Sequence, residues 1–440
     1  MRKKVWSLVL SMALCLALLP VSVSALGGKQ QVVLHVTVRD FKADGVLFEG
    51  RDRSSSGLVQ EQLGADSKPV YDLAKWQQVY GDDVTQEMLD ALYNNVPGVN
   101  MSTRKTLTLN ADSDGYYVID SSVDEMGDSS DGYFPIDDEL FGNEGRNHNF
   151  HFSTELHAVF QYKPGDTFEF VGDDDLWAFF NGVLCVDLGG THSPTRGTAS
   201  IDRLVEDGTL DIKPGDYVYF DCFNMERHTT GSNMYIKTNI DFVNFENSDW
   251  ATSEVLQAYE HDLMPARLMD ADLSLPIDRD EFAAVAVKLY EAMSGKTATV
   301  GTDPFVDTDD PDVLKAYNVG IVNGISETEY APHDKLTREQ AATMLTRVLK
   351  AVSIPGWTLA DDSRYPLDFT MPTPFGDDAN ISGWARESVY FMAANKILEG
   401  VGGNRFAPRN TTSQEESVGY ANASRETAII ISVRSYNNLK

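Results

Sequence analysis

The sequence is poor in cysteine and in basic residues, and each scarcity narrows the class of protein. It has 3 cysteines in 440 residues, too few for a scaffold held together by disulfides. Its 36 lysines and arginines face 67 aspartates and glutamates, which gives a formal net charge of -31. Phosphate backbones bind to basic surfaces. We therefore expect no nucleic-acid partner.

Long apolar runs are absent beyond the first residues. The chain opens with the basic stretch "MRKK", a short apolar segment follows, and "VSVSA" places small residues before a cleavage point after Ala25. This order predicts a signal peptide over 1–25. No later apolar run reaches the roughly 18 residues that a transmembrane helix needs. We expect a secreted protein with no transmembrane segment.

Signatures of catalysis are also missing. The chain has no G-x-S-x-G, no P-loop, no H-E-x-x-H and no Cys/His arrangement with a family signature. Paired carboxylates hydrolyse glycosides only at a fixed separation, which a sequence does not supply. We expect a protein that is not an enzyme, and a glycan-active enzyme is the third-ranked hypothesis.

Two cysteines remain after the predicted signal peptide, Cys185 and Cys222, and both fall in strand-like segments. An exported protein permits a disulfide between them. Free cysteine is also a small, commonly buried apolar residue. The sequence leaves both interpretations open.

The first half of the chain reads as β-structure. From 31 to 245, short segments rich in β-branched and aromatic residues alternate with turn signals, among them "KPGD" at Lys163 and again at Lys213. This pattern predicts an all-β sandwich or jelly roll. A helical insertion interrupts it, because four apolar residues there follow helical spacing: Leu73, Trp76, Val79 and Tyr80.

The second half is helical and repeated. Residues 246–275 are mixed in character, and we interpret them as a linker with a short helix. From 276 to 440 two helix starts recur, at Asp278 and at Thr337, and Glu281 stands where a capping box needs it. A second unit also recurs, with these matched pairs: Phe305 and Phe375, Asp307 and Asp377, Ile321 and Ile397, Gly324 and Gly400, Tyr330 and Phe406, Pro332 and Pro408.

The repeated segment "FVDT…VGIVNG…YAPHDKLTREQAA" resembles S-layer homology repeats. The resemblance implies an all-α domain over 276–440 with about three copies. It also implies docking onto the secondary cell-wall polysaccharide of a Gram-positive-type wall. The last copy reads "NTTSQEES", and Ser413 stands where the family has arginine, so we interpret that copy as degenerate.

In that family the helix-start arginine contributes to a groove for an anionic, often ketal-modified, sugar. The candidate polymer-binding residues are therefore Arg279, Glu281, Arg338 and Glu339. A guanidinium suits this role because its fork holds a carboxylate at two points. The alternative is that each arginine pairs with a neighbouring acid at its helix start.

The β half resembles the fibro-slime domain, a relative in style of the PA14 β-sandwich of adhesins and carbohydrate-binding modules. Three motifs carry the likeness: "VTVRDF", the segment from Phe150 to His192, and "FNMERHTTGSNMYIKTNI". The resemblance implies a bacterial, secreted surface or extracellular-matrix protein.

The segment "GDDDLW" sets three adjacent aspartates against an apolar strand. In PA14-like lectins an Asp pair at a strand end holds Ca²⁺, which ties down sugar hydroxyls. The resemblance implies Ca²⁺ as a cofactor, because calcium takes six to eight oxygen ligands and would cancel the mutual repulsion of the carboxylates. The candidate ligands, best first, are Asp173, Asp174, Asp175, Asn181 and Asp187.

An internal polar network is the competing interpretation, in which the aspartates pair with Arg227 or with Arg39. Glycine-rich loops nearby carry His192 and His228, which we interpret with Arg227 as residues of a ligand rim.

These observations favour a surface protein located at the cell wall or S-layer. The repeats would anchor it without a covalent bond, and the β domain would bind a glycan or a matrix protein. The alternative is a purely structural component that assembles into a surface or slime layer without a small ligand.

Overall fold

The computed structural model describes residues 29–50, 53–123, 132–229 and 231–440. The predicted signal peptide lies outside these residues. Within the described part of the chain, no helix combines the length and the apolar character needed to cross a membrane.

The N-terminal region is built on one antiparallel sheet of ten strands in the order β7-β6-β9-β4-β1-β2-β3-β10-β5-β8. The strands are β1 (Gln31–Asp40), β2 (Met101–Ala111), β3 (Tyr117–Asp120), β4 (Phe152–Gln161), β5 (Thr167–Gly172), β6 (Leu176–Phe180), β7 (Val183–Leu188), β8 (Thr195–Ser200), β9 (Tyr217–Glu226) and β10 (Met234–Thr238). The all-β prediction for this region is confirmed.

The sheet curls until its two end strands meet, so it is close to a barrel. β1 pairs with β2 on one side and β4 on the other, which joins both halves into one sheet instead of two separate layers. At the closing edge, a Cβ on Gly197 of β8 would lie 2.5 Å from Val186 of β7. The enclosed core draws apolar residues from both halves, including Val38, Phe170 and Phe220.

The two "KPGD" turns have the same structure. In each, the aspartate side chain accepts a hydrogen bond from the lysine backbone N–H, at 2.8 Å in Asp166–Lys163 and 3.0 Å in Asp216–Lys213. The glycines, Gly165 and Gly215, have φ of 95° and 92°, which only glycine adopts without strain. The repeated motif therefore sets the entry into β5 and β9.

The predicted helical insertion is confirmed as α1 (Leu73–Tyr80) and α2 (Gln86–Asp90). Its Trp76 is fully buried in a second cluster with Trp177 and Phe179 of β6 and with Phe223 of β9. The insertion thus covers the outer face of these strands. Burial on both faces explains why β6 is a continuous apolar run without alternation.

The C-terminal region is formed by helices joined by loops. They are α4 (Thr252–Glu260), α5 (Arg279–Ser294), α6 (Pro311–Val319), α7 (Arg338–Ser353), α8 (Arg386–Ala394), α9 (Ser413–Val418) and α10 (Arg425–Leu439). The remaining helix, α3 (Ile201–Glu206), lies within the β region between β8 and β9. The capping box predicted at Asp278 and Glu281 is present, and Thr337 forms another with Gln340.

Residues 246–275, interpreted from the sequence as a linker, belong to the same core as these helices. Ala251, Val255 and Leu268 are fully buried in it. Val159 of β4 and Phe245 join this cluster as well, so the β sheet and the helical region share apolar contacts.

The starts of the three long helices α5, α7 and α10 meet in a closed ring. Leu336 N–H donates to the carbonyl of Ile277, Ile277 N–H to that of Ala423, and Ala423 N–H to that of Leu336, at 2.9 to 3.1 Å. Each of these residues lies two positions before an arginine, which makes Arg425 the third equivalent of Arg279 and Arg338. Ser413, at the arginine position of the repeat pattern, begins the short helix α9, whereas the third helix start of the ring lies twelve residues later, at Arg425.

A second set of equivalent contacts places the first repeat earlier than the sequence indicated. Ser382 donates its N–H and hydroxyl to Glu339, both at 2.8 Å, and Ser248 does the same to Glu426 at 2.9 and 3.0 Å. Each serine opens a Ser-x-Trp-Ala segment before a short helix, α8 or α4. The first short helix of the threefold arrangement is therefore α4.

Candidate functional site

The three adjacent aspartates lie between the end of β5 and the start of β6, beside the end of β9. We call this region the acidic corner and define it as Asp173, Asp174, Asp175, Glu226 and Arg227. The peptide bond from Asp173 to Asp174 is cis. Asp173 accepts hydrogen bonds from the backbone and side-chain N–H groups of Asn233, at 2.5 and 2.9 Å.

Asp175 forms an internal ion pair with Arg227, and both side chains are fully buried. The Arg227 Nε lies 2.6 Å from Asp175 Oδ2. The guanidinium also donates to the Leu47 carbonyl at 3.2 Å and to the Tyr80 hydroxyl at 2.7 Å, and it stacks over the Trp76 ring. Part of the corner is thus the internal polar network that the sequence left open.

Two further carboxylates in the corner are buried without a cationic side chain at ion-pair distance among the described residues. Burial raises the pKa of Asp174 to about 6, even though Arg227 acts to lower it. Burial, together with the charges of Asp174 and Asp173, raises the pKa of Glu226 well above its usual range. The low-dielectric surroundings therefore favour a proton or a cation at these two groups.

Glu226 carries the clearest unsatisfied atom of the corner. Its Oε1 accepts the His228 N–H at 3.0 Å, and its buried Oε2 has no partner with good hydrogen-bond geometry among the described residues. The Ser232 side chain is close enough to lower the pKa of Glu226, but burial outweighs it. Asp174 instead accepts the N–H groups of His192 and Arg227, at 3.1 and 3.0 Å. A buried carboxylate oxygen with no donor is costly unless a proton or a metal ion satisfies it.

The structure does not bring all five predicted metal ligands together. Asn181 lies at the turn between β6 and β7, at the far end of β6, and its side chain accepts the Tyr219 N–H at 2.9 Å. Asp187 accepts hydrogen bonds from the Trp177 indole at 3.1 Å and the Gly57 N–H at 2.7 Å. Both residues therefore have structural partners outside the corner.

The predicted rim residues differ in their exposure. Arg227 is fully buried and pairs with Asp175, so it does not lie at a solvent-facing rim. The half-buried His192 contacts the carbonyl groups of Ser193 and Leu188 through its ring, while half-buried His228 has a buried Nδ1 without a partner among the described residues. Of the three, the two histidines lie nearer to solvent.

The carboxylates of the corner that lack a cationic partner differ from the predicted ligand set. Asp173, Asp174 and Glu226 supply hard oxygen donors, and the orphaned Oε2 of Glu226 and the raised pKa of Asp174 both favour a cation there. Asp175 does not fit, because its charge is already compensated by Arg227.

Elsewhere among the described residues, one group of acids and histidine has its ligand atoms within 4.8 Å of one another: Asp278, Asp280 and His333. The acidic corner is not drawn together this closely. In the C-terminal group, however, Asp278 pairs with Lys335, and Asp280 Oδ2 lies 3.5 Å from Arg267. These cations already compensate the two aspartates.

Arg279 and Arg338 occupy equivalent and unusual positions. Arg279 donates to the carbonyls of Tyr330 and Asn323, at 3.0 and 3.1 Å, and its guanidinium lies over the Tyr330 ring. Arg338 donates to the carbonyls of Phe406 and Glu399, at 2.9 and 2.5 Å, and lies over the Phe406 ring. The exposed fractions of the two side chains are 9% and 8%.

Neither of these guanidinium groups has a carboxylate within 4.0 Å among the described residues. Burial lowers the pKa of Arg338 to about 10. The third equivalent differs, because Arg425 makes a forked ion pair with Glu281 at 2.7 to 3.0 Å. Of the three equivalent arginines, the two buried ones are thus left without a counter-ion.

The two candidate polymer-binding acids have partners within the helical region. Glu281 binds Arg425 and closes the capping box of α5. Glu339 has an exposed fraction of 2% and accepts both hydrogen bonds from Ser382. Their role in the structure is to fix the helix starts that carry the arginines.

The remaining matched pairs are also equivalent in space. Asp307 accepts the backbone N–H groups of Tyr330 and Ala331, and Asp377 accepts those of Phe406 and Ala407. These bonds hold the aromatic-Ala-Pro loops against the arginines. Each loop alanine has a positive φ, 58° at Ala331 and 56° at Ala407.

Sequence reasoning missed Glu226 and Arg425. Glu226 directly precedes the quoted Arg227 at the end of an apolar strand, but only the fold shows that it lies beside Asp174. Arg425 had a readable signal, since "SRET" repeats the "TREQ" pattern at Thr337.

Cys185 and Cys222 are free thiols on β7 and β9, which are separated by β6.

Curated relatives come from Dictyostelium discoideum. The protein psiQ is 34% identical over 200 residues, which cover 42% of this chain and 19% of psiQ. The protein psiD is 32% identical over 230 residues, which cover 49% of this chain and 43% of psiD. The chain thus spans less than half of the length of each of these relatives.

Among solved structures, the PA14 sugar-binding domain from an RTX adhesin is 12% identical. It covers 48% of this chain and 91% of its own, with a TM-score of 0.23. The PA14 domain of the MpAFP antifreeze protein is 14% identical and covers 21% of this chain and 43% of its own, with a TM-score of 0.16. These scores are too low to support an argument about this chain.

The S-layer homology domain family matches residues 307–342 and 374–416. The first range contains Asp307 and Tyr330 and the second contains Asp377 and Phe406, and the contacts within these two pairs are equivalent. The C-terminal helical region of this chain therefore carries S-layer homology repeats.

Proposed function

We propose that this protein is a cell-surface protein that binds an anionic cell-wall polymer through Arg279 and Arg338. The observation that carries the proposal is that both guanidinium groups are buried and stacked on an aromatic ring, with no carboxylate within 4.0 Å among the described residues. A buried cation without a counter-ion is costly, and an anionic ligand would remove that cost.

The chemistry of the ligand follows from the donors. A guanidinium forms two parallel hydrogen bonds to a carboxylate, such as that of a ketal-modified sugar. The main-chain carbonyls behind Arg279 and Arg338 fix the orientation of the fork before any ligand arrives. This preorganisation lowers the entropy cost of binding.

A sedimentation assay with purified cell-wall sacculi tests the anchoring proposal on the full chain. We expect the wild type to sediment with sacculi and to remain in solution with sacculi from which the secondary polysaccharide has been stripped. The double variant Arg279→Gln/Arg338→Gln should lose at least ~10-fold in affinity, since each glutamine removes a charge-assisted pair.

Two control variants separate binding from folding. Arg364→Gln removes an equal charge from a side chain that is 76% exposed, and it should sediment like the wild type. Arg279→Lys/Arg338→Lys keeps the charge and loses the fork, so it should bind with intermediate affinity. Equal sedimentation of the glutamine double variant, with an unchanged melting temperature, would contradict the proposal.

For the β domain we propose that the acidic corner binds Ca²⁺ through Asp173, Asp174 and Glu226 and that the ion helps to bind a glycan or matrix partner. Bound calcium would supply open coordination positions for sugar hydroxyls. The charge and burial of the three carboxylates support the ion, and Arg227 holds Asp175 beneath them. His192 and His228 lie at the solvent side of this site.

Thermal unfolding of the chelator-treated full chain tests the calcium proposal. Calcium binds only the folded state in this account, so millimolar CaCl₂ should raise the melting temperature, and MgCl₂ should raise it less. Glu226→Gln should abolish most of the shift. The exposed acid Glu139, which pairs with Lys105, offers a control, because Glu139→Gln should leave the shift intact. A wild type without any shift would contradict the proposal.

A further inference from the structure

A large cleft lies where the near-barrel sheet, its insertion and helix α4 meet. We call it the junction cleft and define it by six wall residues: Arg39, Lys68, His157, Tyr217, Trp250 and Glu260. Its volume is about 1140 Å³. Because it includes Asn181 and Gly182 at the far end of β6, it lies at the opposite end of that strand from the acidic corner.

Three cations on its wall, Arg39, Lys68 and His157, are held by nearby carboxylates. Arg39 binds Glu155 at 2.5 Å and Asp249 at 2.7 Å. Glu155 also binds Lys68 and the Nε2 of His157, the latter at 2.7 Å. These contacts join the β sheet, the insertion and the segment before α4 in one network.

The histidine completes this network as a cation. Its Nδ1 lies 2.6 Å from Asp221. Burial alone would lower the pKa of His157, but Asp221 and Glu155 raise it to about 9. The three cations Arg39, Lys68 and His157 are thus matched by the three carboxylates Glu155, Asp221 and Asp249. The cleft offers fixed donors and acceptors without a surplus of positive charge.

The rim of the cleft carries an exposed aromatic ring that is not packed into the core of the helical region. Trp250 lies just before α4 and has an exposed fraction of 60%. Half-buried Tyr217 lies on the same wall. Side-chain amides surround them, from Gln62, Asn94, Asn95 and Gln257. Each amide carries both a donor and an acceptor.

We infer that the junction cleft binds a neutral oligosaccharide. An apolar ring face next to amides and paired charges matches a sugar, which has an apolar C–H face and hydroxyl groups that both donate and accept. A strongly anionic ligand does not match, because the wall also carries the carboxylates of Asp66 and Glu260 and the chain has a net charge of -31. This binding site is separate from the arginine sites and the acidic corner, and goes beyond the proposed function.

Isothermal titration of the full chain with neutral hexasaccharides tests the inference. The probes are maltohexaose, cellohexaose and chitohexaose, with hexagalacturonate as the anionic counterpart. All four are titrated into Arg279→Gln/Arg338→Gln, so that the arginine sites do not contribute to the binding of hexagalacturonate. We expect at least one neutral probe to bind at least ~10-fold more tightly than hexagalacturonate. Trp250→Ala should weaken that binding by at least ~10-fold, about 1.4 kcal/mol. Gln257→Ala, on the same wall, should weaken it by a smaller factor.

The chain supplies a matched control in Trp384. This residue occupies the equivalent Ser-x-Trp-Ala position before α8, has an exposed fraction of 59% and lies outside the cleft wall. Trp384→Ala should bind the neutral probe within twofold of the wild type. Binding should also persist in chelator and in Glu226→Gln, which distinguishes it from calcium-dependent binding at the acidic corner.

Three results would overturn the inference. They are the absence of heat with all three neutral probes, equal or tighter binding of hexagalacturonate, and an equal loss of affinity in Trp384→Ala and Trp250→Ala. Melting temperatures of the variants show that each is folded, and the exposure of both tryptophans predicts little change.

Discussion

The acidic corner of the β region and the helix starts of the C-terminal region bury charges of opposite sign. In the corner, Asp174 and Glu226 have raised pKa values because they are removed from water. At the helix starts, burial instead lowers the pKa of Arg338. Each region stores an electrostatic cost that a ligand of the opposite charge would relieve.

Each region contains one charged residue with a partner of opposite charge, which can be compared with the residues that lack one. In the corner, Asp175 has the partner that Asp174 lacks, namely Arg227. Among the helix starts, Arg425 has the partner that Arg279 and Arg338 lack, namely Glu281. We propose that the paired members stabilise the fold and that the unpaired members bind ligands. The following predictions test this division, from the largest expected effect to the smallest.

Removal of Arg227 should have the largest effect on stability. Arg227→Met leaves Asp175 buried without its counter-ion, which should lower the free energy of unfolding by about 3–5 kcal/mol in urea titrations. Arg196→Met is the matched control, because Arg196 pairs with Glu169 from a side chain that is 65% exposed and should cost at most about 1 kcal/mol. Similar losses for both variants would show that the buried pair is not special.

The unpaired acids should make stability depend on pH in a defined direction. Since their folded pKa values are raised, the folded state binds protons more tightly than the unfolded chain. The contribution of Asp174 to stability is therefore fully present below about pH 4 and falls as the pH rises through about 6. The contribution of Glu226 likewise falls as the pH rises above its usual pKa. We expect a fall on the order of 1–3 kcal/mol without calcium, measured against Asp174→Asn/Glu226→Gln at the same pH values.

Calcium should reduce this fall, because the ion replaces the proton as the compensating charge. The double variant isolates the two acids from other titrating groups such as His157. A wild type and a double variant with parallel pH profiles would remove the basis for a cation site in the corner.

The third arginine should affect stability but not anchoring. Arg425→Gln breaks the forked pair with Glu281, which is partly exposed, so we expect a loss of about 1–2 kcal/mol in the free energy of unfolding. Sedimentation with sacculi should stay within twofold of the wild type. A loss of sedimentation as large as that of Arg279→Gln/Arg338→Gln would mean that the paired arginine also binds polymer.

Local patterns in the sequence predicted most of the fold. Nine of the ten strands fall on segments with apolar alternation or β-branched residues, and the insertion helix follows from the spacing around Trp76. The sequence patterns did not predict β8, whose segment "TRGTAS" carries small residues. A small residue is required there because Gly197 passes close to Val186 where the sheet nearly closes.

The candidate sites were less predictable, because they depend on contacts between distant parts of the chain. The "DDD" motif was visible, but whether each aspartate pairs with Arg227 or remains unpaired depends on the register between β6 and β9. Only that register places Glu226 beside Asp174. Arg425 was missed because residues 410–423, including α9, separate the aromatic-Ala-Pro loop from the helix start at Arg425.

The central claim is that two of the three equivalent arginines lack a counter-ion and bind an anionic sugar. Titration calorimetry of the full chain with a monosaccharide bearing a carboxylate ketal tests it most directly. We expect two binding sites in the wild-type chain. Arg279→Gln and Arg338→Gln should each retain one site, and Arg425→Gln should retain two. Three sites, no sites, or a site count that is unchanged in the Arg279 and Arg338 variants would contradict it.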